Sequence, residues 1–307
     1  MGFGAIGADI GVGYTSALAI SAISEKHDSS GDLFKTMLVG QAVAESASIF
    51  ALVIAVLLIF KKVPEVGIHQ AAAVMGAGIS MGFGAIGSGI GSGIPAGVAC
   101  QGIARQPTMY GRIVVTFLIG SAVSQTPAIL AMIVALMLMF VKFNNDPLTA
   151  AALLGAGICM GFGAIGSGVG SGFAAGEACA GTARQPKASG QLMTNMLIGS
   201  AVCQTPAIFS MVVALMLMFV KFTNVPLSPK WAALIGAGIS TGLAAIGSGI
   251  GGGMAAGGSC EGIARQPQTV GQVTTTMLVG QAVAQTPSIF GLLISFVLIF
   301  KSFPEST

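Results

Sequence analysis

The stretch MGFGAIGADIGVGY at Met1 returns as MGFGAIGSGIGSGI at Met81, MGFGAIGSGVGSGF at Met160 and TGLAAIGSGIGGGM at Thr241, at intervals of 80, 79 and 81 residues. A period of this kind means that one structural unit is built four times, which has to be settled before any local motif is read. Each unit holds a Gly/Ala-rich stretch, a short polar connection and a Leu/Ile/Val/Met-rich stretch. In unit one the last of these is Gly40–Phe60, an apolar run of the length that crosses a bilayer, for which about 20 residues suffice. With 54% hydrophobic and only 7% charged residues, the chain falls outside the soluble range, where about 25% are charged. The pattern predicts an all-α membrane protein with eight transmembrane helices in four tandem hairpins, over residues 1–64, 65–145, 146–226 and 227–307. The helices are expected at 2–23, 33–60, 70–104, 111–141, 149–183, 190–220, 231–264 and 271–300. Several exceed what the bilayer needs and should project beyond it.

The hairpin connections SEKHDSSGD, ARQPTMYG, ARQPKASG and ARQPQTVG fall on one side of the membrane; the links between hairpins, the tail and both termini fall on the other. Lys26, Lys35, Arg105, Arg112, Arg184, Lys187 and Arg265 lie on the first side, against Lys61, Lys62, Lys142, Lys221, Lys230 and Lys301 on the second. So even a balance keeps the positive-inside rule from deciding orientation. A net charge of +3, scattered over short loops, gives no nucleic-acid footprint. The five cysteines stand in apolar or Gly/Ala stretches without CxxC or a nearby His, which argues for packing and against disulfides or a metal. Gly82-Phe-Gly84-Ala-Ile-Gly87 matches GxGxxG, yet it lacks the preceding strand and the later acidic residue of a dinucleotide site. Its glycines continue as Gly89, Gly91, Gly93 and Gly97, the small-residue spacing that lets membrane helices pack closely.

One residue in Gly40–Phe60 resists a structural explanation. Glu45 lies close to the level of the hydrocarbon core, where an ionisable group costs several kcal/mol unless it is paired, protonated or ion-bound, so it reads as functional. The other units carry Gln125, Gln204 and Gln285 at this position, and these cannot change charge. The next residue keeps a hydroxyl throughout, as Ser46, Thr126, Thr205 and Thr286. Pro127, Pro206 and Pro287 follow, and each withdraws the N–H that would bond the carbonyl four residues back, on Val123, Val202 and Val283. Val43 is the matching position in unit one.

The chain resembles the c subunit, or proteolipid, of rotary F-type ATP synthases, four times over. The resemblance rests on the glycine-rich first helix (Gly166–Gly176, GSGVGSGFAAG), the loop Ala-Arg-Gln-Pro at 104–107, 183–186 and 264–267, and the string Gln41-Ala-Val-Ala-Glu45-Ser46. It implies four c-subunit-like hairpins that form part of a rotor ring with further copies of the chain. The stator (a) subunit, central-stalk subunits of the catalytic head and membrane lipid are the implied partners. Glu45 would carry H⁺ or Na⁺, with no other cofactor and no nucleotide site on the chain. Val43 lies where the sodium-carrying members use a backbone carbonyl as ligand, and Ser46 offers a hydroxyl beside Glu45. Val123, Thr126, Val283 and Thr286 are the neighbouring-hairpin candidates, and Gln125, Gln204 and Gln285 mark vestigial sites. The loop residues Arg105, Gln106, Pro107, Arg184, Gln185, Pro186, Arg265, Gln266 and Pro267 would grip the stalk. The implied setting is the bacterial inner membrane, with cytoplasmic hairpin loops and both termini opposite.

Unit one departs from the others in ways that bear on this reading. Its loop reads Glu25-Lys26-His27 where the others read Arg-Gln-Pro, and its first helix carries Asp9 where they have Gly89, Gly168 and Gly249. Asp9 is expected to assist Glu45, with a water-reached acid near the chain start as the competing reading. Ser46 favours Na⁺, whereas Val12 and Phe50, which replace the glutamine and tyrosine of sodium-carrying members, disfavour a full Na⁺ shell; on balance the residues favour H⁺. Two other classes stay open at this point, a passive proteolipid ring or pore without ATPase coupling, and a self-contained transporter built from repeats.

Overall fold

The computed structural model describes residues 1–61, 67–143, 147–220 and 230–301. These form α1 (Gly2–Glu25), α2 (Ser30–Phe60), α3 (Ile68–Arg105), α4 (Tyr110–Phe140), α5 (Pro147–Arg184), α6 (Ser189–Cys203), α7 (Thr205–Phe219), α8 (Lys230–Arg265) and α9 (Val270–Lys301). Among the described residues eight spans are long and apolar enough to cross a membrane, α6 and α7 being two parts of one of them. Their ends fall within three residues of the sequence expectation. The one departure is the interruption at Gln204, two residues before Pro206, where the backbone N–H turns to the Ala201 carbonyl. The same proline in α4 and α9, Pro127 and Pro287, leaves those helices continuous. Part of each expected link between hairpins, and most of the tail, lies outside the described residues.

Glycine is a poor helix former, costing up to about 1 kcal/mol against Ala. In lipid, however, a backbone has to bond within its own segment, so helix is the available state and small residues then favour close approach. α1, α3, α5 and α8 pack in sequence as one layer, while α2, α4, α6–α7 and α9 cover them as a second. Within the first layer neighbouring backbones touch. A Cβ added at Gly7 would stand 2.3 Å from the Ile86 backbone, and at Gly87 and Gly166 it would meet Ile165 and Ile246 in the same way. The constant offset means that all three joints share one register. Phe3 stacks on Phe83 with centroids 4.6 Å apart, and Phe83 lies 4.9 Å from Phe162, so an aromatic row follows the same repeat.

Every hairpin closes through a single 3₁₀ turn, at His27–Ser29, Pro107–Met109, Pro186–Ala188 and Pro267–Thr269. Lys26, Gln106, Gln185 and Gln266 enter these turns with nearly identical dihedrals, and each donates its N–H to the carbonyl four residues earlier. Proline suits the first turn position because its missing N–H would have no partner there. Unit one makes the same turn without it, so its altered loop changes chemistry and leaves the backbone path alone.

No substantial packing joins α1 to α8, so the row is open and has two free edges. Gly13 on one edge and Gly247 on the other face empty space, whereas their counterparts Gly93 and Gly166 press on a neighbouring backbone.

Candidate functional site

The three glutamines aligned with Glu45 do the same thing. Gln204 Nε2 donates to the Val123 carbonyl at 3.1 Å, and Gln285 Nε2 donates to the Val202 carbonyl at 2.8 Å. Both acceptors are carbonyls that a proline four residues on has left without an intrahelical partner. Gln125 donates likewise to the Val43 carbonyl of unit one. The Ser46 hydroxyl lies 2.7 Å from both Val43 O and Gln125 Oε1, and its single hydrogen serves one of them at a time. Each joint therefore pairs the amide of one unit with a carbonyl of the unit before it.

Glu45 is the fourth member of this set, and among the described residues no other unit packs against its edge of unit one. Its side chain is exposed on the free edge, and among the described residues its carboxylate has no hydrogen-bond or ion-pair partner. Val43 and Ser46 face Gln125, so within one chain they do not share a shell with Glu45. The opposite edge shows the complement. Val283 is 68% exposed, no side chain of the described residues donates to its carbonyl, and Thr286 stands beside it with its hydroxyl 3.4 Å from the Ala282 carbonyl. Between units two and three, Val123 receives Gln204, while Thr126 is half-buried near that joint.

Asp9 sits on the same edge as Glu45 and at its height. Where α1 crosses α2, a Cβ at Gly4 would meet Ala51, one at Gly11 would meet Ala44, and one at Gly40 would meet Thr15. By that antiparallel register Asp9 is level with residue 46, about one 1.5 Å helical rise from the level of Glu45. Counting residues from the start of the chain suggests an acid near a membrane surface; the packing puts it at mid-span. Gln41 supplies a further contact, donating to Ser16 Oγ at 2.7 Å one turn from Glu45. Nothing in linear spacing pairs residues 16 and 41, so sequence reasoning passes over this tie.

At the loop end Arg105, Arg184 and Arg265 are all exposed. Arg265 bonds Glu261, four residues before it on the same helix, at 2.5 Å, and Arg184 lies 3.9 Å from both Glu177 and Glu261. Arg105 has no acidic neighbour of this kind among the described residues. Gln106 and Gln185 are half-buried and Gln266 exposed; Pro107 is exposed, while Pro186 and Pro267 are half-buried.

A family model for the ATP synthase C subunit matches the chain four times, at residues 1–58, 75–138, 154–217 and 235–298. This chain belongs to the ATP synthase C-subunit family. Its matches carry one hairpin each, and together they cover most of the sequence, so the protein is a fused four-repeat member and an integral, multi-pass membrane protein. Among curated relatives, the K subunit of the A-type ATP synthase of Methanocaldococcus jannaschii is 31% identical over 71% of this chain and 91% of its own length. Single-unit relatives align to about a quarter of the chain. The chloroplastic ATP synthase c subunit of Ostreococcus tauri is 47% identical over 24% of this chain and 92% of its own length. The ATP synthase c subunit of Petrotoga mobilis is 53% identical over 22% of this chain and 71% of its own length.

Proposed function

We propose that this C-subunit family member is the ion-carrying rotor component of a rotary ATP synthase or ion-pumping ATPase, with Glu45 as the carrier and one carrier per four hairpins. The reading is supported by one observation above the others: three glutamines each engage a carbonyl of the preceding unit, while the carboxylate in the same position stands at a free edge. Copies of the chain then join edge to edge into a ring. Glu45 of one copy meets the Val283 carbonyl and Thr286 hydroxyl of the copy before it, as Gln125 meets Val43 and Ser46. Protonated Glu45 can donate a hydrogen bond to that carbonyl; a hard cation such as Na⁺ could instead be held by the same three oxygens. Because the shell offers few oxygens, H⁺ is the favoured cargo.

Facing lipid, Glu45 is neutral through its ion, since a bare charge there is costly. Opposite a basic group of the stator it gives the ion up, and rotation follows as the gradient biases thermal motion. The hairpin loops, with Arg105, Arg184 and Arg265 exposed, face the cytoplasm of a bacterial cell and meet the central stalk, whose head does the ATP chemistry. A transmembrane potential is worth about 2.3 kcal/mol per charge per 100 mV. Few carriers per turn therefore supply little energy to synthesis and favour an ATP-driven pump that builds a steep gradient.

The test is a carbodiimide, which needs a protonated carboxyl in an apolar setting. Labelling should saturate at one per chain, on Glu45, and abolish ion-coupled ATPase activity; Glu45→Gln should stop transport. Retained pumping in that variant sinks the assignment. Protection of Glu45 by Na⁺ but not K⁺ at constant pH would replace the proton as cargo. A chain that never co-purifies with an ATPase head would be a passive ring.

A further inference from the structure

We infer that the joint between copies differs from the three joints inside the chain, and that Asp9 is the wedge that widens it at the level of the carrier. This rests on the ring reading above and goes beyond it.

Four glycine positions of the repeat make the joints, two on each edge of a unit. Gly7 and Gly11 face the following unit, where an added Cβ would come within 2.3 Å of the Ile86 backbone and of the Gly89 carbonyl. Gly89 and Gly93 face the preceding unit, where an added Cβ would come within 2.6 Å of the Gly7–Ala8 backbone and 2.4 Å of Gly11. The pattern recurs at both later joints, with Gly168 and Gly172 on α5 and Gly249 and Gly253 on α8 all within 2.6 Å of a neighbouring backbone. None of these sites can hold a side chain at the present spacing.

Asp9 is the unit-one counterpart of Gly89, Gly168 and Gly249, and it therefore projects toward the copy before. A ring that closed with the spacing of its internal joints would drive the Asp9 Cβ into the Gly247–Ser248 backbone. Carbon atoms in contact sit about 3.5–4.0 Å apart, so the helices must part by about 1 Å for the Cβ alone, and further for the carboxyl. The seam that opens is the one that receives Glu45, because both acids lie on the same edge at the same height. The occupant of this edge is a second copy, since the edge continues the register that already joins four units. The ring so built has one wide, polar joint for every three narrow, glycine-lined ones, and its carrier stands in the wide one.

The test uses the intact ring from membranes. In an image reconstruction at side-chain resolution, α8 and the next copy's α1 should stand farther apart than α1 and α3 do, by at least the radius of a side chain. Assembly of variants gives an independent readout, followed as detergent-resistant rings. Gly93→Ala and Gly166→Ala should break them. Gly13→Ala and Gly247→Ala, at the equivalent positions of the wide joint, should assemble as the unaltered chain does. Asp9→Asn keeps the wedge and should keep the spacing, whereas Asp9→Gly should narrow the seam. Four equal joints, or loss of rings on Gly13→Ala and Gly247→Ala, would overturn this inference while leaving the rotor reading intact. A different chain seated in the seam would also overturn it, and failure to form any ring would remove the rotor reading together with it.

Discussion

Gln204 and Gln285 each direct an amide to a proline-freed carbonyl that lipid could not satisfy, and Gln125 makes the same bond to Val43. Leaving a buried acceptor unpaired costs about 1–3 kcal/mol, so Gln204→Leu should lower the thermal stability of the assembled protein by an amount of that order, through the orphaned Val123 carbonyl. The same geometry makes a stronger prediction for Gln125. Val43 O and Ser46 Oγ are the hydrogen-bond partners of its side chain among the described residues, so Gln125→Glu places a carboxyl against an acceptor and a hydroxyl. Such a carboxyl needs its own proton, and carbodiimide incorporation should rise from one to two per chain. Incorporation that stays at one would show that the glutamine joints lack what the carrier joint has. The alignment of these residues was legible in the sequence, as was the loss of the proline's N–H. That the glutamine of one unit answers the freed carbonyl of the unit before was not, because the bond joins residues about 80 positions apart and depends on which edge of the helix pair faces the neighbour.

Among the elements, the glycine-rich helices owe their close packing to positions that a propensity scale would penalise. Gly→Ala in a helix interior gains up to about 1 kcal/mol where nothing is touched. Gly111 on α4 has nothing within 4 Å, whereas a Cβ at Gly170 would stand 2.1 Å from the Gly249 carbonyl. Gly111→Ala should therefore leave the melting temperature equal or slightly higher, and Gly170→Ala should disrupt the α5–α8 joint, which thermal unfolding of the single chain in detergent would register. Helix number, order and ends were readable from apolar length and the repeat, since lipid leaves the backbone little choice. The interruption at Gln204 was not readable, for the same Gln-Thr-Pro sequence runs unbroken through α4 and α9. The position of Asp9 was misleading for a related reason. Residue counting suggests a surface acid, but the packing of Gly4 on Ala51 and of Gly11 on Ala44 sets Asp9 level with residue 46 of α2.

At the scale of the whole molecule, the proposed rotor would have its gearing set by the three glutamine joints. A ring turns once for a fixed amount of ATP chemistry, whatever its carriers number, so the energy delivered to each ion rises as carriers become fewer. With about 2.3 kcal/mol per charge per 100 mV, the limiting potential scales inversely with the charge moved per turn. On the proposed reading, a chain with one acid where four could stand would trade flux for steepness. If Gln125→Glu supplies a working second carrier, each turn moves twice the charge, and the highest potential reached by ATP hydrolysis in sealed vesicles should fall to about half. Initial ion flux per ATP should double in the same preparation. A potential that is unchanged, with two carboxyls labelled per chain, would mean that the second acid takes a proton without being turned past the stator in a productive state. The carrier would then depend on something that the joint between copies alone provides, which the Asp9→Gly ring would reveal by losing transport while still assembling.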